Sequence, residues 1–474
     1  MGCSRRGRVS KESYTLRAFF FHFVFLIVCV FCCAPETADD WHQIAIDHLN
    51  GQPLRDINSE SLLLAQRAEE NALEKDSTRT DVSLKLASIL QARGYYESAG
   101  NLYRKVIEMN ADFGPAYSGL GFSLSAQGRF GAAQRAYQDA LRRGERSSLL
   151  YSRLGHSYQA LGHIREHLIS ARAAYRAALQ LDPNQEDVHL QWARVEVSLG
   201  DSQRARNLYK EALRLDQQDV DARIELARLY KESGEDNAGR KLLEVGLEQS
   251  RDEALLLQEL GRFLWEEGES VLALSHFESA LNLNPMLNFA RRIAALIYSQ
   301  MQDYERSLSY YGILIQENER DSQLRISRGI VYSQLGEFLQ AEADFKYAIS
   351  LGGTNGDGAL KLGGLYLHNR NRRAAVKVLS EGAAEFPNNA ELQATLGDIY
   401  RKMGVINAAI NAGEKAVEIE PDRALWRYHL ALTYERSDPE YASKEWGRYL
   451  ELAVGDSRES NRIIEVQKRL KNSL

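Results

Sequence analysis

Residues 254–287 read ALLLQELGRFLWEEGESVLALSHFESALNLNPML. Two apolar stretches with helical spacing flank Gly268. Gly261, Ala273 and Ala280 are small where two helices would cross closely, and Leu260, Leu264 and Phe277 fill the space beside them. Gly268 can take the positive φ that ends a first helix, and Pro285 stops a second. The stretch therefore predicts a helix, a tight turn and another helix.

The same pattern recurs along the chain. Steps of thirty-four residues from Gly261 land on Ala295, Gly329, Gly363 and Gly397 in one direction and on Ala227 and Ala193 in the other. Ala431 continues the series, and Gly155, Gly121 and Ala87 extend it upstream after a four-residue insertion between Gly155 and Ala193. A second small position holds Ala99, Ala133, Ala171, Ala205, Gly239, Ala273, Ser307, Ala341, Ala375, Ala409 and Ala442. An aromatic position holds Tyr103, Tyr137, Tyr175, Tyr209, Phe277, Tyr311 and Phe345, and gives way to Leu243, Leu379 and Gly413, whose helices have their packing left open.

The spacing of these small, aromatic and proline positions resembles the tetratricopeptide repeat, over about four-fifths of the chain. The resemblance implies an all-α, right-handed superhelical solenoid of about eleven helical hairpins over residues 80–455. One such hairpin cannot bury its own apolar face, so stability comes from stacking on neighbours. Residues 35–79 read as a degenerate N-terminal hairpin, with Leu64, Ala65, Ala68 and Ala72 on one helical face. Residues 456–474 read as a polar capping helix with Ile463, Val466 and Leu470 on one stripe. The array is thus expected to be capped at both ends.

The net charge of −6 conceals an asymmetry, because the first seventeen residues carry +4 and the remainder −10. A mildly acidic array argues against nucleic-acid partners, which need a basic footprint. All four cysteines lie at or before Cys33, so the repeats hold no disulfide framework and no cysteine metal site. Residues 18–34 are apolar apart from His22 and follow the basic stretch, which reads as a secretory signal or an N-terminal membrane anchor. The sequence before Cys33 looks like a degraded bacterial lipoprotein box, making Cys33 the lipidation candidate. In either form the repeats are expected on the non-cytoplasmic side of a cell envelope, because a positive flank stays inside. A lipid-modified tail that leaves the repeats facing the cytoplasm is the alternative.

Chemistry-bearing motifs are few. His163, Glu166 and His167 match an inverted zinc-peptidase pattern in the inserted turn, where helical spacing would align both imidazoles; a third ligand is not named by the sequence. The glycine-rich residues 351–358 lack the Lys-Ser/Thr ending of a phosphate loop and fall at a repeat boundary that needs a permissive turn. No catalytic constellation, metal or cofactor is expected, and a metal-binding enzyme at His163 and His167 is the remote alternative.

The resemblance implies an inner groove lined by positions two, five, nine, twelve and thirteen of each first helix. Position nine carries Arg194, Arg228 and Arg262 in three successive repeats, preceded by His156. Lys231, Trp265, Phe289 and Arg292 occupy inner positions nearby. Such a ladder suits an extended anionic protein or peptide partner, with Trp265 as an apolar anchor. Glu225 and Glu259 each precede an arginine of the ladder by three residues, so the pairs could instead close along their own helices. The expected function is a non-enzymatic scaffold at the envelope, by analogy in a polysaccharide-export, secretion or outer-membrane assembly. The family's chaperone clamp uses asparagines at position nine, and none stands there.

Overall fold

The computed structural model describes residues 37–162, 164–249 and 252–473. Among these, every regular element is helical. First helices open at Thr80, Gly114, Ser148, Glu186, Val220, Glu253, Asn288, Ser322, Asp357, Ala390 and Ala424, each followed by a second helix. These starts follow the thirty-four-residue frame within one residue, so eleven hairpins are present as expected. By contact density the chain divides into two compact units, residues 1–239 and 240–474, and the division falls inside helix Asp236–Gln249.

The periodic residues explain each hairpin. In the first unit the rings of Tyr137 and Tyr175 are fully buried, and each lies against the glycine of the preceding helix. A Cβ on Gly121 would come within 2.5 Å of the Tyr137 ring, and one on Gly155 within 2.7 Å of the Tyr175 ring. In the second unit Gly261 stands the same way to Phe277 and Gly329 to Phe345. Burying each such ring contributes about 2 to 3 kcal/mol. The degraded positions still pack: Leu243 and Leu379 are fully buried, and Leu379 fills the space above Gly363. At Gly413 the missing side chain allows a closer crossing, with the backbone of Gly413 within 3.3 Å of where a Gly397 Cβ would sit.

Turn chemistry sets the hairpin geometry. Gly268 has φ +87°, as its position requires, while Gln302 and Arg370 take the equivalent turns at φ +63° and +58°. Between helices Phe338–Leu351 and Asp357–His368, Gly352, Gly353, Asn355 and Gly356 all lie at positive φ. Asn389 donates to the Asn355 carbonyl across this turn. The glycine-rich stretch follows a helix rather than a strand, so it is a repeat boundary and not a phosphate loop.

Helices Ala38–Leu49 and Ser59–Lys75 pair ahead of the first repeat, burying Ala45, Leu49, Leu62, Ala65 and Ala68 with Ile89. His42 bonds Glu69 there at 2.8 Å, and burial pushes the Glu69 carboxyl above its ordinary range against that bond. At the other end, helix Ser460–Ser473 buries Val466 fully, with Ile463 and Leu470 packed beside it. No helix of the described residues is long and apolar enough to cross a membrane. The apolar residues 18–34, and with them Cys33, lie outside the described residues.

Candidate functional site: the first-helix faces

The three ladder arginines stand on first helices, Arg194 and Arg228 in the first unit and Arg262 in the second. In the first unit Arg194, on helix Glu186–Leu199, reaches the next first helix, Val220–Glu232. Its Nε donates to Glu225 at 2.8 Å and its Nη2 to Asp221 at 3.0 Å. Glu225 is held from its other side by the Tyr209 hydroxyl. Burial works against the Arg194 charge, yet the hydrogen bonds and charge of Glu225 and Asp221 hold its pKa above the usual range. Arg228 is exposed and Lys231 half-buried, and both have interaction partners of their own.

In the second unit Arg262 closes on its own helix, as the alternative reading expected. Its Nε donates to both Glu259 oxygens at 3.2 Å and its Nη1 to Glu266 at 3.0 Å. Arg292 reaches Asp321 of the following repeat at 3.2 Å. Phe289 is 40 % exposed and stands edge-on to Phe277 with ring centroids 6.2 Å apart; Trp265 is half-buried. The structure therefore does not leave a bare cationic stripe. Glu225 serves Arg194 of the preceding repeat, 31 residues away, a pairing that spacing within one helix does not reveal.

The histidine motif is described only in part. His167 stands on helix Arg165–Leu181, which opens after the extended N-cap Ile164. His163 itself lies outside the described residues. Helix Arg165–Leu181 runs to 17 residues against 13 to 15 in the other second helices, so most of the insertion is helical. Among the described residues no three His, Cys, Asp or Glu side chains group as metal ligands.

Sequence reasoning missed a cavity in the first unit. It has a volume of about 550 Å³ and is bounded by Phe122, Arg153, His156, Tyr137, Asp187 and Gln191, among others. Three successive first helices contribute, Gly114–Ala126, Ser148–Ala160 and Glu186–Leu199. Room exists because Ser125, Ala126 and Ser152 are small at inner positions. Arg153 stacks over Phe122, with its guanidinium carbon 4.2 Å from the ring centroid, and burial lowers its pKa. Arg153 stands at position six, outside the inner positions used to search the sequence. A readable clue exists: no carboxylate lies three or four residues from Arg153 on either side.

A solenoid of stacked helical hairpins with polar and aromatic side chains along its first helices defines a class, the protein–protein interaction scaffold. More particularly, the chain carries tetratricopeptide repeats: family models described as Tetratricopeptide repeat match residues 80–113, 196–260 and 390–423. The first and last of these coincide with the repeat frame read from the sequence. No curated protein matches the chain. Similar solved structures include YrrB, described as a TPR protein with an unusual peptide-binding site, at 20 % identity over 40 % of this chain and 97 % of that one, TM-score 0.36. Yeast Tom70 is 13 % identical over 86 % of this chain and 98 % of its own, TM-score 0.39. Pseudomonas aeruginosa pilF is 19 % identical over 44 % and 95 %, TM-score 0.37. Likenesses at this level add nothing to the argument from the chain's own residues.

Proposed function

We propose that this protein is a non-enzymatic scaffold that takes an extended protein or peptide partner along its first-helix faces. The observation that carries this reading is the repetition itself: within each unit successive first helices recur at a near-constant interval, a pattern suited to a linear partner. Arg194, Arg228, Lys231, Arg262 and Arg292 are the proposed polar contacts, with Trp265 and Phe289 as apolar anchors. Ion pairing does not remove the arginines from recognition, since a paired guanidinium keeps donors for a second acceptor and has its geometry fixed in advance.

The apolar residues 18–34 behind a basic flank support placement at a cell envelope with the repeats on the non-cytoplasmic side, whether the segment is retained or Cys33 is lipidated. Protease protection checks this: digestion of the repeats in intact cells, or once only the outer layer of the envelope is opened, agrees with it, and protection until the cytoplasmic membrane is lysed rejects it. The partner reading is tested by affinity capture from source-cell membranes with the full chain and with Arg194→Ala/Arg228→Ala/Arg262→Ala. A partner retained by the native chain and lost by the triple variant is the expected result. Equal capture by both would remove the ladder from the binding surface.

A further inference from the structure

We infer that the cavity at Arg153 is a carboxylate-binding subsite, built to take one acidic group of an extended peptide lying across the first helices of the first unit. The inference rests on the scaffold reading and gives it a specific anchor.

Three observations converge. Arg153 forms no ion pair with any described residue, unlike Arg194, which holds two carboxylates. Glu145 is close enough to influence its charge but stays outside ion-pair distance, and Asp187 lines the same cavity without pairing with it. The Arg153 guanidinium lies over the Phe122 ring, a contact that leaves its N–H donors for a planar acceptor. Lastly, Tyr137 lines the same cavity, and its hydroxyl, on a residue with 0 % exposure, has no hydrogen-bond partner. An orphaned buried hydroxyl beside an unpaired guanidinium marks a site that a ligand completes.

The chemistry selects the ligand class. A carboxylate presents two coplanar oxygens to a guanidinium and can accept from the tyrosine as well. A phosphate dianion would meet Asp187 and Glu145 at greater electrostatic cost. Phe130, edge-on to His156 at 6.2 Å, provides an apolar wall for the neighbouring part of the peptide. Because the cavity draws on three successive first helices, it accommodates a chain crossing the repeats and not a single buried residue.

The test uses the full chain, immobilised in mild detergent, and pools of random dodecapeptides. One set fixes each position in turn as Glu or Gln; another carries a free C-terminal acid or an amide. Native protein is expected to retain an acidic pool about tenfold over its neutral counterpart, the weight of one charge-assisted contact. Preference in the first set identifies a side-chain carboxylate, and preference in the second a chain terminus. Arg153→Gln should abolish the preference, Arg153→Lys should restore part of it, and Tyr137→Phe should weaken it with unchanged circular dichroism. Pools retained without acidic preference would overturn the subsite while leaving the scaffold reading intact. Retention of no pool would overturn the subsite too, and membrane capture would then judge the scaffold separately. A preference surviving in both Arg153→Gln and Tyr137→Phe would place the carboxylate elsewhere and reject the assignment.

Discussion

Single residues in this chain act through the space they leave or fill. Gly121 is small because the Tyr137 ring occupies the place its Cβ would take. Gly121→Ala should destabilise its hairpin by about 1 to 2 kcal/mol through overpacking, the lower end being set by ring movement. Ala193 and Tyr209 hold the equivalent places in their repeat and are both buried, so the helix pair can adapt. Amide exchange in residues 114–142 reads the loss; unchanged protection there would show that the ring moves freely. Gln302 presents the reverse case, a non-glycine held at φ +63°. Gln302→Gly should stabilise by about 0.5 kcal/mol, since relief of left-handed strain exceeds the added chain entropy of glycine. A lower denaturation midpoint would contradict this.

At the scale of elements, charged pairs fasten one helix to the next. Asp344, on helix Phe338–Leu351, is 4 % exposed and accepts from Arg328 Nε and Nη2, both at 2.7 Å, and from Arg325 at 3.3 Å. Asp344→Asn would leave two guanidinium groups without their counter-charge. A loss of about 3 kcal/mol is expected, at the low end for a broken buried pair because both arginines keep some contact with water. In a quasi-one-dimensional stack this loss should concentrate in residues 322–351, with exchange in residues 80–160 unaffected. A uniform loss across the chain would show instead that the array unfolds as one cooperative body. The insertion is an element-scale feature too: most of it is absorbed as helix in Arg165–Leu181, leaving the following frame in register.

For the whole molecule, stability should depend on pH through half-buried histidines in the second unit. Burial pushes both His276 and His429 below the ordinary value of 6.5, with Glu244 and Asp398 respectively opposing it. Around His429 the cations Arg401, Arg462 and Lys402 add to the depression. The folded chain therefore holds these groups neutral while the unfolded chain protonates them near 6.5. Their contribution is fully present above that value and is lost as pH falls through the lowered folded values. The thermal midpoint of the second unit should drop between about pH 7 and pH 5.5, and His276→Gln/His429→Gln should flatten that slope. A flat profile in the native chain would contradict the prediction.

The hairpins were legible in the sequence because their packing is local and periodic. Gly or Ala at one position is followed sixteen residues later by a ring in six of the eleven repeats, and the helices begin where that frame places them. Even Leu379 could be placed by the frame alone, although its burial needed the structure. The charged surface was legible only within single helices. Arg262 closes on Glu259 three residues away, as spacing allows, whereas Arg194 finds Glu225 across a repeat boundary, and the cavity at Arg153 arises where small residues on adjacent helices leave volume. The period of the side chains determined which helices form and which faces they bury. Tertiary structure alone decided which charges neutralise one another and where space remains, because both depend on distances between successive helices that no single repeat encodes.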